Sequence, residues 1–133
     1  MRYIKTYETI KNKIEIKDHY CWIINGDIIN VLNKLHVSIY KKYRDQLDIF
    51  ISSIQTSMNT TYKGLEKIYI FYDKRSTSSF TYWPIQSPED EMSADYFIND
   101  DENGRYDLQG ELKIVNDKVI LDTLLVDINK YNI

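Results

Sequence analysis

The sequence predicts an α+β domain in which N-terminal helices pack on one face of a mainly antiparallel sheet built from C-terminal hairpins. In the first half of the chain, apolar residues recur every three or four positions, which is typical of amphipathic helices. In the second half, dense runs of β-branched and aromatic residues are separated by turn residues, which predicts strands. Helices that precede the strands, rather than alternating with them, favour this class over a parallel α/β fold.

A single domain over residues 1–133 is expected, because a chain of 133 residues with 43% hydrophobic residues can bury one core. It should be mainly helical over 1–58 and mainly strand over 66–128, with an acidic connection at 86–107. No apolar run approaches the roughly 20 residues of a membrane helix, and no signal-peptide pattern is visible. The sequence therefore predicts a cytoplasmic protein with no membrane association.

The segment before residue 26 combines two patterns. Tyr7 and Ile10 have helical spacing, whereas Tyr20, Trp22 and Ile24 alternate as in a strand. We therefore expect a short helix to about residue 13, followed by extended chain.

The clearest helix signal begins after Asp27, which is a candidate N-cap. The apolar stripe consists of Ile28, Leu32, Leu35, Ile39, Tyr43, Leu47, Phe50 and Ile54. A continuous helix to Met58 would be about 48 Å long, whereas a domain of this size is roughly 36 Å across. We therefore expect a break near His36–Ser38.

Two hairpins follow. Ile68–Tyr72 and Phe80–Trp83 are separated by turn-forming residues, and Tyr106–Val115 and Lys118–Ile128 meet at Asn116–Asp117, a two-residue connection suited to positive φ. The last of these runs also fits a helical period, so its alternative is a helix.

Charge is distributed unevenly along the chain. Residues 1–75 carry 13 Lys and Arg against 8 Asp and Glu, a balance of +5, and residues 76–133 carry 4 against 12, a balance of −8. Between 86 and 107 there is one base, Arg105, and eight acids: Glu89, Asp90, Glu91, Asp95, Asp100, Asp101, Glu102 and Asp107. Such a segment either is solvated or faces a basic partner.

Candidate catalytic and metal-binding groups are few. Cys21 lies near His19 in sequence, but one cysteine and two histidines cannot complete a structural zinc site. The run that starts at Asn99 has the beginning of a calcium loop, yet its twelfth position is Gly110, and Glu111 comes one residue late. We therefore expect no catalytic residue, no metal and no cofactor, and a small hydrolase is the least favoured alternative.

A small basic patch, Lys41, Lys42 and Arg44, lies in the helical region. Asp45 and Asp48 offset it, whereas nucleic-acid binding requires sustained positive charge. A solvent-facing helix is the favoured interpretation, and an accessory or regulatory protein, including a phage-derived one, that binds protein or nucleic acid remains an alternative function.

Aromatic residues flank and interleave the acids, and such rings are enriched in protein interfaces. The candidate partner-binding residues are Tyr82, Trp83, Glu89, Asp90, Glu91, Asp95, Tyr96, Asp100, Asp101, Glu102 and Tyr106. Acids around such rings would steer a basic protein toward them. The alternative interpretation of the same segment is a solvated surface loop.

The segment from Trp83-Pro84 to Asp107 belongs to a small, acidic, cysteine-poor chain that lacks a catalytic motif. In this profile the chain resembles the immunity proteins of bacterial polymorphic toxin and contact-dependent growth inhibition systems. The resemblance implies a non-enzymatic protein that binds and neutralises a cognate toxin domain, often a basic nuclease, in the cytoplasm of the producing cell. It assigns no individual residue, so the candidate residues above rest on charge and ring content.

Overall fold

The computed structural model describes residues 7–9, 19–73, 79–100, 102 and 105–123. The elements are β1 (Tyr7–Thr9), β2 (Tyr20–Asn25), α1 (Ile28–Ser38), α2 (Lys41–Thr60), β3 (Lys67–Asp73), β4 (Ser79–Pro84), α3 (Pro88–Ile98), β5 (Asp107–Val115) and β6 (Lys118–Asp122). Five strands of five or more residues form one mixed sheet, and the three-residue β1 extends it at one edge. The predicted α+β class is confirmed.

The strand order is β1-β6-β5-β2-β3-β4, and every pairing is antiparallel except that of β2 with β5. The expectation of a sheet built from C-terminal hairpins alone was wrong, because the N-terminal strand β2 lies between β3 and β5. Parallel neighbours need a crossover connection. Here that connection contains α1, α2, the β3–β4 hairpin and α3.

A bulge adjusts the parallel pairing of β2 and β5. Cys21 lies opposite Leu108 and Trp22 lies opposite Gly110, so one residue of β5 is skipped. Gly110 has a φ of +141°, and a Cβ at this position would overlap the backbone carbonyl of Asp122 on β6. Glycine is therefore required where β5 bends between its two neighbours.

Helices α1 and α2 cover one face of the sheet, which we call the first face. Trp22, Ile70 and Tyr72 from the strands pack there against Leu32 and Leu47 from the helices. The Asp27 carboxylate accepts a hydrogen bond from the Asn30 N–H at 3.3 Å, which confirms the predicted cap. The predicted break is also present, since α1 ends at Ser38 and α2 begins at Lys41.

The predicted helix to about residue 13 was wrong at Tyr7–Thr9, which form β1 and pair with β6. The rest of that predicted segment lies outside the described residues. A three-residue strand owes its conformation to its neighbour, and local spacing does not show that neighbour.

The acidic connection predicted at 86–107 contains a third helix, α3, which covers the second face of the sheet. Ser87 caps it by accepting a hydrogen bond from the Asp90 N–H at 3.3 Å, and Pro88 occupies the first turn. Ala94 and Ile98 pack against the sheet. The sequence contained this helix-start signal, but the density of acids favoured a connection.

Both predicted hairpins form, as β3–β4 and β5–β6. Asn116 and Asp117 adopt φ values of +52° and +64°, the left-handed conformation that a two-residue connection requires. The last run is a strand to Asp122, and its remainder from 124 lies outside the described residues. None of the described helices is long and apolar enough to cross a membrane.

Candidate functional site

Helix α3 has an inner face on the sheet and an outer face toward solvent. The outer face consists of Glu89, Met92, Ser93 and Tyr96, all exposed. The Met92 side chain is 60% exposed and that of Tyr96 is 74% exposed. Met92 and Tyr96 are four residues apart, so they are neighbours on the helix surface. The packing of α3 on the sheet does not use either side chain.

The inner face uses acids that the sequence placed in the partner-binding set. Glu91 forms an ion pair with Lys67 of β3, with 2.8 Å between Oε2 and Nζ. Asp95 accepts a hydrogen bond from the Tyr69 hydroxyl at 3.3 Å. Because Lys67 and Tyr69 are two residues apart on a strand, they share the second face, and Glu91 and Asp95 lie one helical turn apart to meet them.

Both partners of this contact have a raised pKa. Burial raises the pKa of Asp95 above its ordinary value, and the nearby Glu91 carboxylate raises it further, although the Tyr69 hydroxyl and Lys67 oppose the shift. Burial also raises the pKa of Tyr69, and the charge of Asp95 adds to that effect. The Tyr69 hydroxyl therefore stays protonated to a higher pH than that of an ordinary tyrosine.

The first-turn acids also have a local structural role. Asp90 accepts a hydrogen bond from the backbone N–H of Gln86 at 2.8 Å. Together with Glu89 and Glu91 it places negative charge at the helix N-terminus, where the helix dipole favours it. Of these three acids, Glu89 alone belongs to the outer face.

Beyond α3 the chain turns through further acids. The Asp100 carboxylate accepts a hydrogen bond from the backbone N–H of Glu102 at 2.9 Å, and the Glu102 side chain is exposed. Asp101, also in the predicted set, lies outside the described residues. The described part of this turn therefore continues the negative charge of α3 past its C-terminus.

The predicted aromatic residues do not form one surface. Trp83 is half-buried and packs on Phe97 of α3, with ring centroids 5.4 Å apart. Tyr106 stacks on Phe97 at 5.4 Å and on His19 at 4.6 Å. Tyr82 points to the first face, where it contacts Phe50 at 5.9 Å. Among the predicted aromatic residues, Tyr96 is the most exposed and the one on the outer face of α3.

His19 has a role that sequence reasoning did not find. Its Nε2 lies 3.1 Å from the Asp73 carboxylate, and its Nδ1 lies 3.2 Å from the backbone carbonyl oxygen of Arg105. The backbone carbonyl of His19 accepts a hydrogen bond from the Asp107 N–H at 2.7 Å. The residue adopts a φ of +56° and is buried. It therefore connects the ends of β2, β3 and β5 at one edge of the second face.

Two other groups considered from the sequence are engaged within the fold. Cys21 is fully buried, and burial raises the pKa of its thiol, so the nucleophilic thiolate is disfavoured. In the basic patch, Arg44 donates from Nε to the Ile39 carbonyl at 3.2 Å, and the Lys42 ammonium lies 5.1 Å from the Tyr43 ring centroid.

Sequence reasoning also missed an uncharged groove on the first face. It has a volume of about 470 Å³ and lies between α2 and the edge strand β4. Ile49, Phe50 and Tyr82 contribute apolar surface to it, and the Ile49 side chain is 73% exposed. The chain has no charged residue from 49 to 62 or from 79 to 88, and this absence was the available signal.

Comparisons with protein-family models, with curated proteins and with solved structures find no match to this chain.

Proposed function

We propose that this protein binds a basic partner protein through the outer face of α3 and the acidic turn that follows it. The resemblance to immunity proteins leads us to propose further that the partner is a toxin domain, that it is a nuclease, and that binding in the cytoplasm neutralises it. The observation that carries the binding proposal is the exposure of Met92 and Tyr96 on a helix with four acids and no base.

The division of α3 into two faces supports this proposal. The inner face alone accounts for the docking of the helix, through Ala94, Ile98 and the contacts of Glu91 and Asp95. The docking contacts leave Met92 and Tyr96 free of any described packing role, and these two large side chains lie in solvent beside Glu89 and Ser93. Tyrosine and methionine are enriched in interfaces because they provide large, adaptable contact area.

The charge around this pair indicates the kind of partner. Glu89 on the outer face and Glu102 in the following turn are exposed. Acids at the rim of an interface accelerate association with a basic protein more than they strengthen the final complex. A nuclease domain has a positive surface for its substrate and would meet this requirement.

The test uses the purified full chain and the C-terminal domain of the polypeptide encoded next to its gene. We expect a one-to-one complex, and co-expression of this protein should restore growth to cells that produce the domain. Tyr96→Ala should weaken the complex by at least about tenfold if Tyr96 is a central anchor. Val37→Ala removes part of a similarly exposed apolar side chain on α1 and serves as the matched control.

Charge reversal tests whether the acids mainly accelerate association or also hold the final complex together. Glu89→Lys combined with Glu102→Lys should slow association severalfold at low salt and change dissociation much less. Equal affinity of Tyr96→Ala and the parent chain would contradict the proposed surface. A neighbouring domain that is neither toxic nor bound would contradict the proposed toxin neutralisation.

A further inference from the structure

We infer that β4 is a self-association edge, through which two copies of this chain pair antiparallel and join their sheets. Among the described residues, β4 is the last strand of the sheet on its side, and no strand pairs with its outer edge. Natural proteins protect such edges with charged side chains, above all lysine, and with proline, and β4 has only Pro84 at its end. Ser79–Pro84 contains no charged residue.

The register of β4 fixes which backbone groups face outward. The Ile85 N–H donates to the Lys67 carbonyl at 3.0 Å, so these opposed residues form a hydrogen-bonded pair. Hydrogen-bonded pairs alternate along an antiparallel ladder, and Thr81 and Trp83 therefore bond toward β3. Phe80 and Tyr82 direct both their N–H and C=O groups outward. Pro84, which has no N–H, falls on an outward position and costs the β3–β4 ladder no hydrogen bond.

These outward groups are complementary to a second copy. If a two-fold axis passes at Thr81, Phe80 of each copy lies opposite Tyr82 of the other. In each of these two pairs, the N–H of either residue donates to the C=O of the residue opposite. This gives four hydrogen bonds and satisfies the outward N–H groups of Phe80 and Tyr82. The same register places the Phe80 and Tyr82 rings of the two copies side by side on the first face, where aromatic cross-strand pairs stabilise a sheet.

The absence of charge on this edge favours a second copy as the occupant. Two identical molecules present the same charges, so their acidic or basic regions repel when they meet across a two-fold axis. The edge of β4 and the adjoining groove are formed from two uncharged stretches, 49–62 and 79–88, in a chain with 28% charged residues. Ile49 lies beside this edge and is 73% exposed, and the second copy would bury part of its side chain.

The contact is short, so the dimer should be weak and reversible, with a dissociation constant on the order of 10 μM. It is independent of the proposed toxin binding, because the outer face of α3 lies on the opposite side of the sheet. Tyr96→Ala should therefore leave self-association unchanged.

The test is sedimentation velocity on the full chain from about 1 to about 200 μM, a range that brackets this affinity. The average mass should rise from the 15.9 kDa of one chain toward twice that value. Thr81 is exposed, and at the two-fold axis its two copies lie about 4.5 Å apart between Cα atoms. Thr81→Lys and Thr81→Glu should each weaken self-association at least about tenfold by like-charge repulsion.

An equimolar mixture of Thr81→Lys and Thr81→Glu should associate again, because the opposed charges then attract. Gln55→Lys adds the same charge at an exposed α2 position outside the groove lining and should dimerise like the parent chain. Ile49→Lys leaves the strand intact and should also weaken the dimer.

A parent chain that stays monomeric throughout the range, or Thr81 variants that dimerise normally, would overturn the inference. Monomeric variants whose mixture does not associate would overturn the register.

Discussion

Gly110→Ala tests the bulge that joins the parallel and antiparallel parts of the sheet. Gly110 lies on β5 between β2 and β6, with a φ of +141° that side-chain-bearing residues rarely adopt. A Cβ added there would overlap the Asp122 carbonyl and approach the Thr123 Cα to 3.1 Å. Both obstacles are backbone atoms, so a change of side-chain rotamer cannot relieve the overlap.

The expected loss of stability has two parts. Holding an alanine at this φ costs about 1–3 kcal/mol. Moving β6 away to relieve the overlap costs typically a further 1–3 kcal/mol, as in other overpacked sites. We therefore expect Gly110→Ala to lower the free energy of unfolding by about 4 kcal/mol, a large part of the total stability of a small domain.

Gly64→Ala is the matched control. Gly64 also has a positive φ, +77°, but no atom lies within 4 Å of an added Cβ. Its substitution should cost only the backbone strain, about 1–2 kcal/mol. The entropy that alanine removes from the unfolded chain is the same for both variants and cancels in the comparison. The measured difference therefore isolates the overlap with β6.

Urea unfolding followed by circular dichroism provides both free energies. Gly110→Ala should unfold at a clearly lower urea concentration than Gly64→Ala, with a gap of at least about 2 kcal/mol between them. Equal losses in the two variants would refute the argument that β5 is held against the backbone of β6 at this glycine.

Two further predictions concern titratable groups on the second face. Folding raises the pKa of Asp95, so the protonated carboxyl favours the folded state. This contribution to stability is complete below the ordinary pKa of 3.8 and is lost as the pH rises through the pKa of the folded state. Asp95→Asn should therefore be more stable than the parent chain near neutral pH and equal to it at about pH 3 in urea unfolding; a constant difference across this range would contradict the assignment. Cys21 should react with iodoacetamide only as fast as the domain opens, and urea should accelerate labelling, because the thiol is buried and its pKa is raised; rapid labelling of the native protein would show that the thiol is accessible.

Local patterns predicted most of the elements, and distant pairings caused the errors. The stripe after Asp27 and the two hairpins depend on neighbours a few residues away, and they formed close to the predicted bounds. The parallel pairing of Trp22 with Gly110 joins residues far apart in sequence, and alternation within a strand does not identify such a neighbour. The same reason explains the wrong helix at Tyr7–Thr9.

The composition of the sequence indicated the acidic segment as the candidate site, but it could not show which of its acids face the sheet and which face solvent. The acids between 86 and 107 formed one group in the sequence, whereas the helical period of α3 brings Glu91 and the largely exposed Asp95 into contact with β3 and turns Glu89 away from the sheet. That division required the helix, and Ser87 followed by Pro88 and acids was the signal that would have predicted it. The exposure of Tyr96 then follows from its position opposite Ala94.

The division of α3 makes stability and binding separable in this protein. An acidic helix docks on the sheet because Lys67 pairs with one inward carboxylate and Tyr69 donates to the other, so the inner face does not need a basic partner from outside. Substitutions at these contacts should therefore change unfolding first and binding only through the helix position. Substitutions at Met92 and Tyr96 remove exposed atoms that no described contact needs for folding, and surface changes of this kind usually alter stability by less than about 0.5 kcal/mol. A loss of binding without a loss of stability is thus the result that distinguishes an interface on α3 from a helix that only covers the sheet.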